Sequence, residues 1–300
     1  MPNKKRYVWI DGKNIAWERA NIHILNHSLH YGSAVFEGVR CYATPKGPAV
    51  FRLQDHIERL FHSAEVMGMK IPFSKKQMKE AVLELLRKNE LQEGYIRPIV
   101  FYGDKMGLNP SGASLHVAVA AWPWGKYLEK ESVAVKISKV MRIHPQTSLM
   151  SAKISGHYAN SILASMEAKK AGFDEALLLD WRGFIAEGPG ENIFFVKNKK
   201  IYTPTAKAIL PGLTRDSIKS IAKDLGYEMV EKDIKPKDLK QFQEAFFVGT
   251  AVEVNAIGKI DNVVFGKGGE GEVTKEFREN YARMIHGENK KYNKWLSHVR

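Results

Sequence analysis

Apolar residues recur along this chain at two spacings, which predicts a mixed α/β fold. Segments such as YIRPIVFYG and LHVAVAAW are short runs rich in β-branched and aromatic residues, as in strands. The segments QDHIERLFHSAEVMG and QMKEAVLELLRKN instead show the three-to-four-residue spacing of amphipathic helices. The opening YVWIDGKNIAW alternates around Asp11-Gly12, which predicts a β-hairpin with a tight turn. We find no internal repeat, low-complexity tract or heptad pattern.

The segment WPWGKYLEKES interrupts both spacings with proline and glycine and predicts a connector between two α/β domains. We expect a small N-terminal α/β domain over residues 1–124, a connector over 125–131 and a large C-terminal domain over 132–300. The second domain is predicted to hold a helix from about Gly156 to Lys170 and two later helices. Its predicted strands are EALLLD, FIAEG, NIFFVKNKKIYTP and EAFFVGTAVEVNAI.

Composition indicates a globular protein, since 300 residues with 44% apolar content can form a substantial core. The net charge of +13 raises the possibility of nucleic-acid binding, but the lysines are scattered and no zinc-finger or RNP-like pattern occurs. The single cysteine excludes an internal disulfide framework. No apolar run is long enough to span a bilayer, and MPNKKRYVWIDG lacks the apolar region of a signal peptide. We expect a cytoplasmic protein with neither nucleic acid nor membrane as partner.

One lysine differs from the others by its surroundings. Lys153 lies in SAKISGHYANSILA at a predicted strand-to-helix junction, preceded by Ala152 and followed by Ser155 and Gly156. Its stem can therefore reach a cleft with little steric crowding. Burial disfavours the charged form of a lysine, and a neutral amine forms a Schiff base with an aldehyde. From this segment alone, an ordinary surface lysine remains the alternative.

The segment RGFIAEGPGENIFF predicts a tight bend flanked by Glu187 and Glu191. Two readings are open from the residues alone. One is a β-turn with solvated carboxylates. The other is a buried carboxylate that pairs with a pyridinium nitrogen and keeps it protonated, which makes a pyridoxal ring a good electron sink.

Three more segments offer groups that bind phosphate. In LPGLTRDSI, Leu213 and Thr214 stand in the first turn of a predicted helix, where unpaired N–H groups attract an anion, unless Thr214 simply caps the helix. In FFVGTAVEV, a break at Thr250 and Ala251 offers a hydroxyl and amides, or else forms a bulge. In HIERLFHSA, Arg59 is either a phosphate clamp or a surface ion pair.

Taken in order, these segments resemble the branched-chain amino acid aminotransferases, which are pyridoxal phosphate enzymes of fold type IV. The resemblance covers the whole chain and implies an α/β (α+β) fold of two domains, the larger one with a pseudo-barrel of strands. The segments that carry it are HSLHYGSAVFEGVRCY, FRLQDHIERLFHSA, GYIRPIVFYGD, AKISGHYANS, AEGPGENIFF, LPGLTRDSI and VGTAVEV.

The resemblance implies a transaminase that exchanges the amino group of leucine, isoleucine or valine with 2-oxoglutarate by a ping-pong mechanism. The implied cofactor is pyridoxal 5′-phosphate, bound covalently by Lys153, which also moves a proton between the substrate Cα and the cofactor C4′. Tyr158 is implied to bind the ring O3′, and Glu187 the pyridinium nitrogen. The groups implied to hold the phosphate are Arg59, Leu213, Thr214 and Thr250.

The resemblance also implies how one pocket accepts both leucine and glutamate. The substrate α-carboxylate would be bound by Thr250 and Ala251 with Tyr95. The residues implied to line the side-chain pocket, or to reach a distal carboxylate at its rim, are Tyr31, Phe36, Gly38, Arg97, Trp124 and Tyr127. The loop GDKMGLNPSG, residues 103–112, would bring Met106 and Leu108 to a neighbouring site in a homodimer or a dimer-built hexamer.

Other functions stay open at this stage. A D-amino acid aminotransferase and an aminodeoxychorismate lyase share the fold and the lysine, although FEGVRCY and GYIRP favour the branched-chain enzymes. A basic binding protein is the alternative outside catalysis, but it leaves AKISGHYANS and AEGPGEN without a role. His27 and His30 have the spacing of two metal ligands without a third, so we interpret them as hydrogen-bonded histidines and predict no metal.

Overall fold

The chain folds into two units, and each contains both strands and helices, as the two apolar spacings predicted. The computed structural model describes residues 6–125 and 127–299. Among these described residues, one unit holds 6–125, Ala152–Gly156 and 284–299. The other holds the residues between those segments, including His157–Arg283. The sequence prediction placed Ala152–Gly156 and the tail in the C-terminal domain, whereas both group with the first unit because their backbones pair with its strands.

The first unit is an antiparallel sheet covered by two long helices. The hairpin predicted at Asp11-Gly12 is confirmed, with Ile10 paired to Lys13 and both turn residues at positive φ. Its elements, in chain order, are β1 (Tyr7–Ile10), β2 (Lys13–Ala16), α1 (His27–Tyr31), β3 (Val35–Phe36), β4 (Val39–Tyr42), β5 (Ala49–Phe51), α2 (Leu53–Val66), α3 (Lys75–Lys88), β6 (Gly94–Tyr102) and β7 (Leu115–Trp122).

The core of this unit forms where α2 and α3 pack on the sheet. The strand order is β17-β5-β4-β6-β7-β1-β2, where β17 is Leu296–His298, and β3 pairs with β6. Helix α3 begins with a capping box formed by Ser74 and Gln77. The buried residues recur at three-to-four-residue spacing on each helix, as an apolar face requires. They include Leu53, Ile57 and Leu60 on α2, and Met78, Val82 and Leu85 on α3.

The short segment Ala152–Gly156 lies antiparallel to the residues around β3. The Phe36 N–H donates to the Lys153 carbonyl oxygen (3.1 Å), and the Gly156 N–H donates to the Gly32 carbonyl oxygen (2.8 Å). A Cβ on Gly32, which has φ +63°, would lie 2.8 Å from the Gly156 Cα, so only glycine permits this approach. The small residues around Lys153 are thus required by close backbone packing.

The second unit is a nine-stranded mixed sheet with helices. The strand order is β10-β9-β8-β15-β14-β11-β12-β13, with β16 on β15. Its elements are β8 (Ser132–Ile137), α4 (His157–Lys170), β9 (Glu175–Leu179), β10 (Ile185–Glu187), β11 (Asn192–Lys197), β12 (Lys200–Thr203), α5 (Leu213–Asp224), β13 (Glu228–Glu231), β14 (Glu244–Gly249), β15 (Glu253–Ile260), β16 (Val263–Val264) and α6 (Glu272–Ile285).

Aromatic side chains fill much of this second core. Phe194 and Phe246 stack with ring centroids 5.3 Å apart, and Phe195 stacks on Phe242 at 4.9 Å. The segment EAFFVGTAVEVNAI, predicted as one interrupted strand, forms two antiparallel strands instead. Over residues 6–125 and 127–299, none of the helices has the length and apolar character that a membrane crossing requires.

Candidate active site

Lys153 belongs to the first unit and is half-buried, so it is not a fully solvated lysine. Its backbone N–H donates to the hydroxyl of Ser63 on α2 (2.9 Å). The preceding Ala152 is part of the hydrophobic core. The Lys153 ammonium lies 5.0 Å from the centroid of the Phe36 ring, a cation–π distance.

Residues predicted for the substrate pocket come together around the same aromatic ring. The Arg97 guanidinium lies 4.5 Å from the Phe36 ring centroid and donates to the Tyr95 hydroxyl (3.3 Å). The Arg97 Nε is buried and has no hydrogen-bond partner among residues 6–125 and 127–299. The Tyr95 ring meets Trp124 edge-on, with centroids 4.5 Å apart. Gly38 contacts this tyrosine too. This cluster therefore joins aromatic surface to an unsatisfied cationic donor.

Arg59 belongs to a buried charge cluster, so the surface ion-pair alternative is wrong for it. Its Nε and Nη2 donate to the two carboxylate oxygens of Glu37 (2.7 and 2.9 Å), and Glu37 is completely buried. The imidazole Nδ1 of His56 lies 2.7 Å from the same carboxylate. Burial acts to raise the pKa of Glu37, but the charge and hydrogen bonds of Arg59 and His56 outweigh burial and hold it well below its usual range.

Glu187 lies at the end of β10 in the second unit. Its side chain is buried, as expected for the second of the two alternatives, a buried carboxylate. Three groups donate to it: Arg142 Nε (2.6 Å), Asn192 Nδ2 (3.0 Å) and the Leu210 N–H (3.2 Å). Within the part of the chain that the structure describes, the buried Arg142 Nη1 has no hydrogen-bond partner. Ion pairing and hydrogen bonds favour the ionised form of a buried carboxylate.

Glu191 is also buried but has a different environment. Its Oε2 accepts a hydrogen bond from the Gly190 N–H (3.0 Å), so this carboxylate holds the bend itself. The reading of both glutamates as solvated is therefore wrong. Glu187, by contrast, is held by the Arg142 guanidinium.

The N-terminus of α5 is connected to the Glu187 site through the backbone. Asn192 donates to the Leu210 carbonyl oxygen (3.0 Å) as well as to Glu187. The helix then begins at Leu213, and Gly212 is its N-cap, without a side-chain hydrogen bond. Thr214 is thus inside the first turn and is not the cap. The first-turn N–H groups keep the anion-binding polarity of a helix N-terminus.

The remaining predicted residues of the second unit lie at element ends. Thr250 and Ala251 lie in the turn that joins β14 to β15, so the alternative of a bulge within one strand is wrong. Tyr158 is the second residue of α4 and is half-buried. Tyr127 is 43% exposed.

The loop over residues 103–112 is attached to α1. The Gly107 N–H donates to the Tyr31 hydroxyl (3.2 Å), and the Gly107 carbonyl oxygen pairs with His27 Nε2 (3.0 Å). His30 Nε2 pairs with the Ile24 carbonyl oxygen (2.8 Å). Both histidines are therefore hydrogen-bonded, as interpreted from the sequence. The loop presents its apolar side chains outward, with Met106 48% and Leu108 82% exposed.

The comparisons with known proteins decide the family. The profile of the family "Amino-transferase class IV" matches residues 34–260. The chain belongs to this family.

Relatives that match this class IV aminotransferase over their full length include several branched-chain aminotransferases. The branched-chain-amino-acid aminotransferase of Pseudomonas aeruginosa is 44% identical, and the match covers 100% of this chain and 99% of the relative. The crystal structure of the branched-chain aminotransferase from Thermoproteus uzoniensis matches with a TM-score of 0.95 at 40% identity, over 99% of this chain and 100% of the other. That of the Escherichia coli enzyme matches with a TM-score of 0.96 at 39% identity, over the same shares of the two chains.

These findings confirm the predicted resemblance and the predicted α/β fold class. The chain is an enzyme, a transferase of amino groups. The match to the Escherichia coli structure extends over nearly all of both chains. The resemblance therefore holds along the whole chain, as predicted, and is not limited to one motif.

Several residues of this aminotransferase site were missed from the sequence. Glu37 stands inside the quoted motif FEGVRCY but reads as an ordinary strand carboxylate. His56 and Ser63 share the helical spacing of Arg59, and that spacing is the signal by which they could have been found. Arg142 meets Glu187 from a separate segment that no local pattern in the sequence marks. Asn192 lies in the same quoted segment as Glu187, RGFIAEGPGENIFF, and its place at the far side of the bend is the signal by which it could have been found.

Proposed function

We propose that this aminotransferase uses pyridoxal 5′-phosphate, bound at Lys153, to transfer amino groups from leucine, isoleucine or valine to 2-oxoglutarate. The observation that carries the proposal is the fixed, half-buried position of Lys153 over the Phe36 ring. Relatives with the same fold support it. Two solved structures of a branched-chain amino acid aminotransferase, 42% identical to this chain, are described with N-(5′-phosphopyridoxyl)-L-glutamate and with pyridoxamine 5′-phosphate.

The donor set fits such a cofactor. Lys153 supplies an amine of the kind that reacts with an aldehyde, and Glu187 supplies a buried carboxylate of the kind that pairs with a ring nitrogen. The first turn of α5 and the Arg59 guanidinium suit a phosphate dianion. Arg142 Nη1 is a buried donor without a hydrogen-bond partner beside Glu187, and a polar ligand at that place would satisfy it. On the basis of the helix N-terminus and the guanidinium, we assign the phosphate to Arg59, Leu213, Thr214 and Thr250.

The bound cofactor supplies an electron sink for the electrons released at the substrate Cα. In our proposal Lys153 moves the proton between that Cα and C4′, as a general base and then as a general acid. Tyr158 donates to the ring O3′ and orients the ring. Glu187 keeps a proton on the ring nitrogen by charge pairing, and its own orientation is held by Arg142 and Asn192.

Substrate choice follows from the aromatic cluster in the first unit. Phe36, Gly38 and Trp124 provide apolar contacts for a branched side chain, with Tyr31 and Tyr127 as further lining. The buried Nε of Arg97, which has no partner, is a donor that a distal carboxylate would satisfy. We assign the α-carboxylate to Thr250 and Ala251 with Tyr95, and the distal carboxylate to Arg97.

We further propose a homodimer, or a hexamer built from dimers, in which residues 103–112 reach the site of the neighbouring subunit. Met106 and Leu108 are 48% and 82% exposed in this loop, and exposed apolar side chains grouped in this way mark an interaction surface. We also propose a cytoplasmic location, because Cys41 is a buried free thiol, as expected in a reducing compartment.

A panel of amino donors with 2-oxoglutarate tests the proposal. We expect turnover with L-leucine, L-isoleucine and L-valine, measured as glutamate formed, and none with D-amino acids. Turnover with D-alanine in place of the L-amino acids would assign a different reaction to this site. Light scattering of the purified protein tests the oligomer, and a stable monomer would contradict the role given to Leu108.

A further inference from the structure

We infer that Glu37 is a positioning residue that orients Arg59 for the cofactor phosphate. This inference rests on the proposed function, in which Arg59 binds that phosphate. Glu37 stands between β3 and β4, and its side chain is completely buried. Its effect on the cofactor comes through the arginine.

The contacts explain how Glu37 fixes the guanidinium. Arg59 is held along one edge, with Nε on Oε1 and Nη2 on Oε2, at 2.7 and 2.9 Å. Two parallel hydrogen bonds to a planar carboxylate define both the position and the plane of a guanidinium. Nη1 lies outside this edge in the same plane, so its direction is set as well.

His56 supports the carboxylate from the same helix. His56, Arg59 and Ser63 are spaced by three and four residues on α2, which places them on one face. Burial lowers the pKa of His56, and the charges of Arg59 and Lys153 lower it further against the opposing effect of Glu37. The imidazole is therefore neutral and can donate from Nδ1 to Glu37. The same face reaches the backbone of Lys153 through Ser63.

The charge of Glu37 and its orientation of Arg59 have opposite expected effects on phosphate binding. A carboxylate beside Arg59 reduces the attraction of the arginine for a phosphate dianion, so charge alone predicts tighter phosphate binding when Glu37 is neutralised. A fixed guanidinium instead avoids the ordering cost that a mobile side chain would incur on binding. The bidentate geometry and the complete burial of Glu37 lead us to infer that orientation is the larger effect.

The experiment is a double-mutant cycle on Glu37→Gln and Arg59→Gln in the full chain, freed of cofactor. Dissociation constants are measured by titration for pyridoxal 5′-phosphate and for pyridoxal, which lacks the phosphate. The readout is the ratio of the two dissociation constants, because a general structural defect weakens the binding of both ligands alike. Glu58→Gln is the matched control, because Glu58 is the exposed carboxylate next to Arg59 in sequence.

We expect Glu37→Gln to lower the preference for the phosphorylated ligand about tenfold, and to have no further effect when Arg59 is already glutamine. Glu58→Gln should leave the preference unchanged. Glu37→Asp is the second variant. It keeps the charge but shortens the reach, so it should also lower the preference. A rise in the preference with Glu37→Gln, or a wild-type value with Glu37→Asp, would overturn the inference.

The outcomes also separate this inference from the proposed function. If the wild-type chain binds neither ligand, the cofactor assignment itself fails. If Arg59→Gln leaves the preference unchanged, the arginine has been given the wrong role, and the inference about Glu37 fails with it. If Arg59→Gln lowers the preference and Glu37→Gln does not, only the positioning role of Glu37 is wrong.

Discussion

The hydroxyl of Tyr95 occupies the space that a side chain on Gly38 would need. A Cβ on Gly38 would lie 2.0 Å from the Tyr95 Oη and 2.9 Å from its Cζ. The phenol is held there by the Trp124 ring and by Arg97, so it has little freedom to withdraw. Because Gly38 has no side chain, the hydroxyl of Tyr95, which lies on β6, can occupy this position.

Gly38→Ala should displace the Tyr95 ring and lower kcat/KM for leucine by about tenfold, since forcing a methyl into a packed site costs about 1 to 3 kcal/mol. Steady-state kinetics with leucine and 2-oxoglutarate measure this. The control is Gly269→Ala, because a Cβ at that position meets no atom within 4 Å. Equal activity of Gly38→Ala and the wild type would show that Tyr95 moves without consequence.

Lys153→Ala should reduce turnover by several orders of magnitude, because the side chain both binds the cofactor and carries the proton. Borohydride reduction of the wild-type holoenzyme, followed by peptide mapping, should place the pyridoxyl label on Lys153. Lys136→Ala is the matched control, since its ammonium also lies over an aromatic ring, 5.6 Å from the centroid of Phe173. A label on any other lysine would reject the assignment.

Glu187→Gln should lower turnover far more than Glu191→Gln. The substitution keeps the shape but removes the charge that maintains the proton on the ring nitrogen, and it leaves Arg142 without its buried counter-ion. The two variants are compared by single-turnover rates with leucine. If Glu191→Gln is the more damaging change, the wrong carboxylate has been assigned.

Arg97→Ala should affect glutamate more than leucine. The guanidinium would make a charge-assisted contact of about 1.5 to 3 kcal/mol with the distal carboxylate, which leucine lacks. We expect a preferential loss for glutamate of about tenfold or more in kcat/KM, measured for the two half-reactions separately. Equal losses would mean that Arg97 supports the aromatic cluster or the α-carboxylate instead.

His157 should make the protein less stable as the pH falls from 6.5. Burial lowers the pKa of His157 from its ordinary 6.5 to about 4, and the charge of Arg142 adds to the shift. Between these values the unfolded chain binds more protons than the folded one, so the free energy of unfolding decreases as pH decreases. After allowance for solvent screening we expect a loss of about 1 to 2 kcal/mol.

The measurement for this prediction is urea unfolding at pH 7 and at about pH 4.5, which lies inside the window between the two pKa values. His157→Asn removes the titrating group and keeps hydrogen-bonding capacity, so its stability should fall less between the two pH values. Parallel losses in the variant and the wild type would assign the acid sensitivity to other groups.

Local sequence patterns predicted the parts of this fold that depend on neighbouring residues. The Asp11-Gly12 hairpin and the start of α5 at Leu213 both follow from residues close together in the chain. The short helix α1 was missed, since its five residues are too few to show a periodicity.

The prediction was less complete where distant segments meet. The resemblance identified Arg59 and Glu187, but their partners Glu37 and Arg142 come from elsewhere in the chain. The grouping of Ala152–Gly156 with the first unit has the same origin, because backbone pairing over long separations leaves no local signal. The expected roles of Tyr158 and Thr250 stay predictions that only binding or kinetic measurements test.

The pairing of β17 with β5 has a consequence for how the protein is made on the ribosome. Leu296 pairs with Phe51, and Ser297 pairs with Val50, so one edge of the first sheet stays unpaired until residues 296–298 have been synthesised. Until then β5 presents an open edge, which in other proteins is a site of aggregation. The sheet of the first unit therefore cannot be completed before residues 296–298 have left the ribosome, and chaperone demand should be highest before that point.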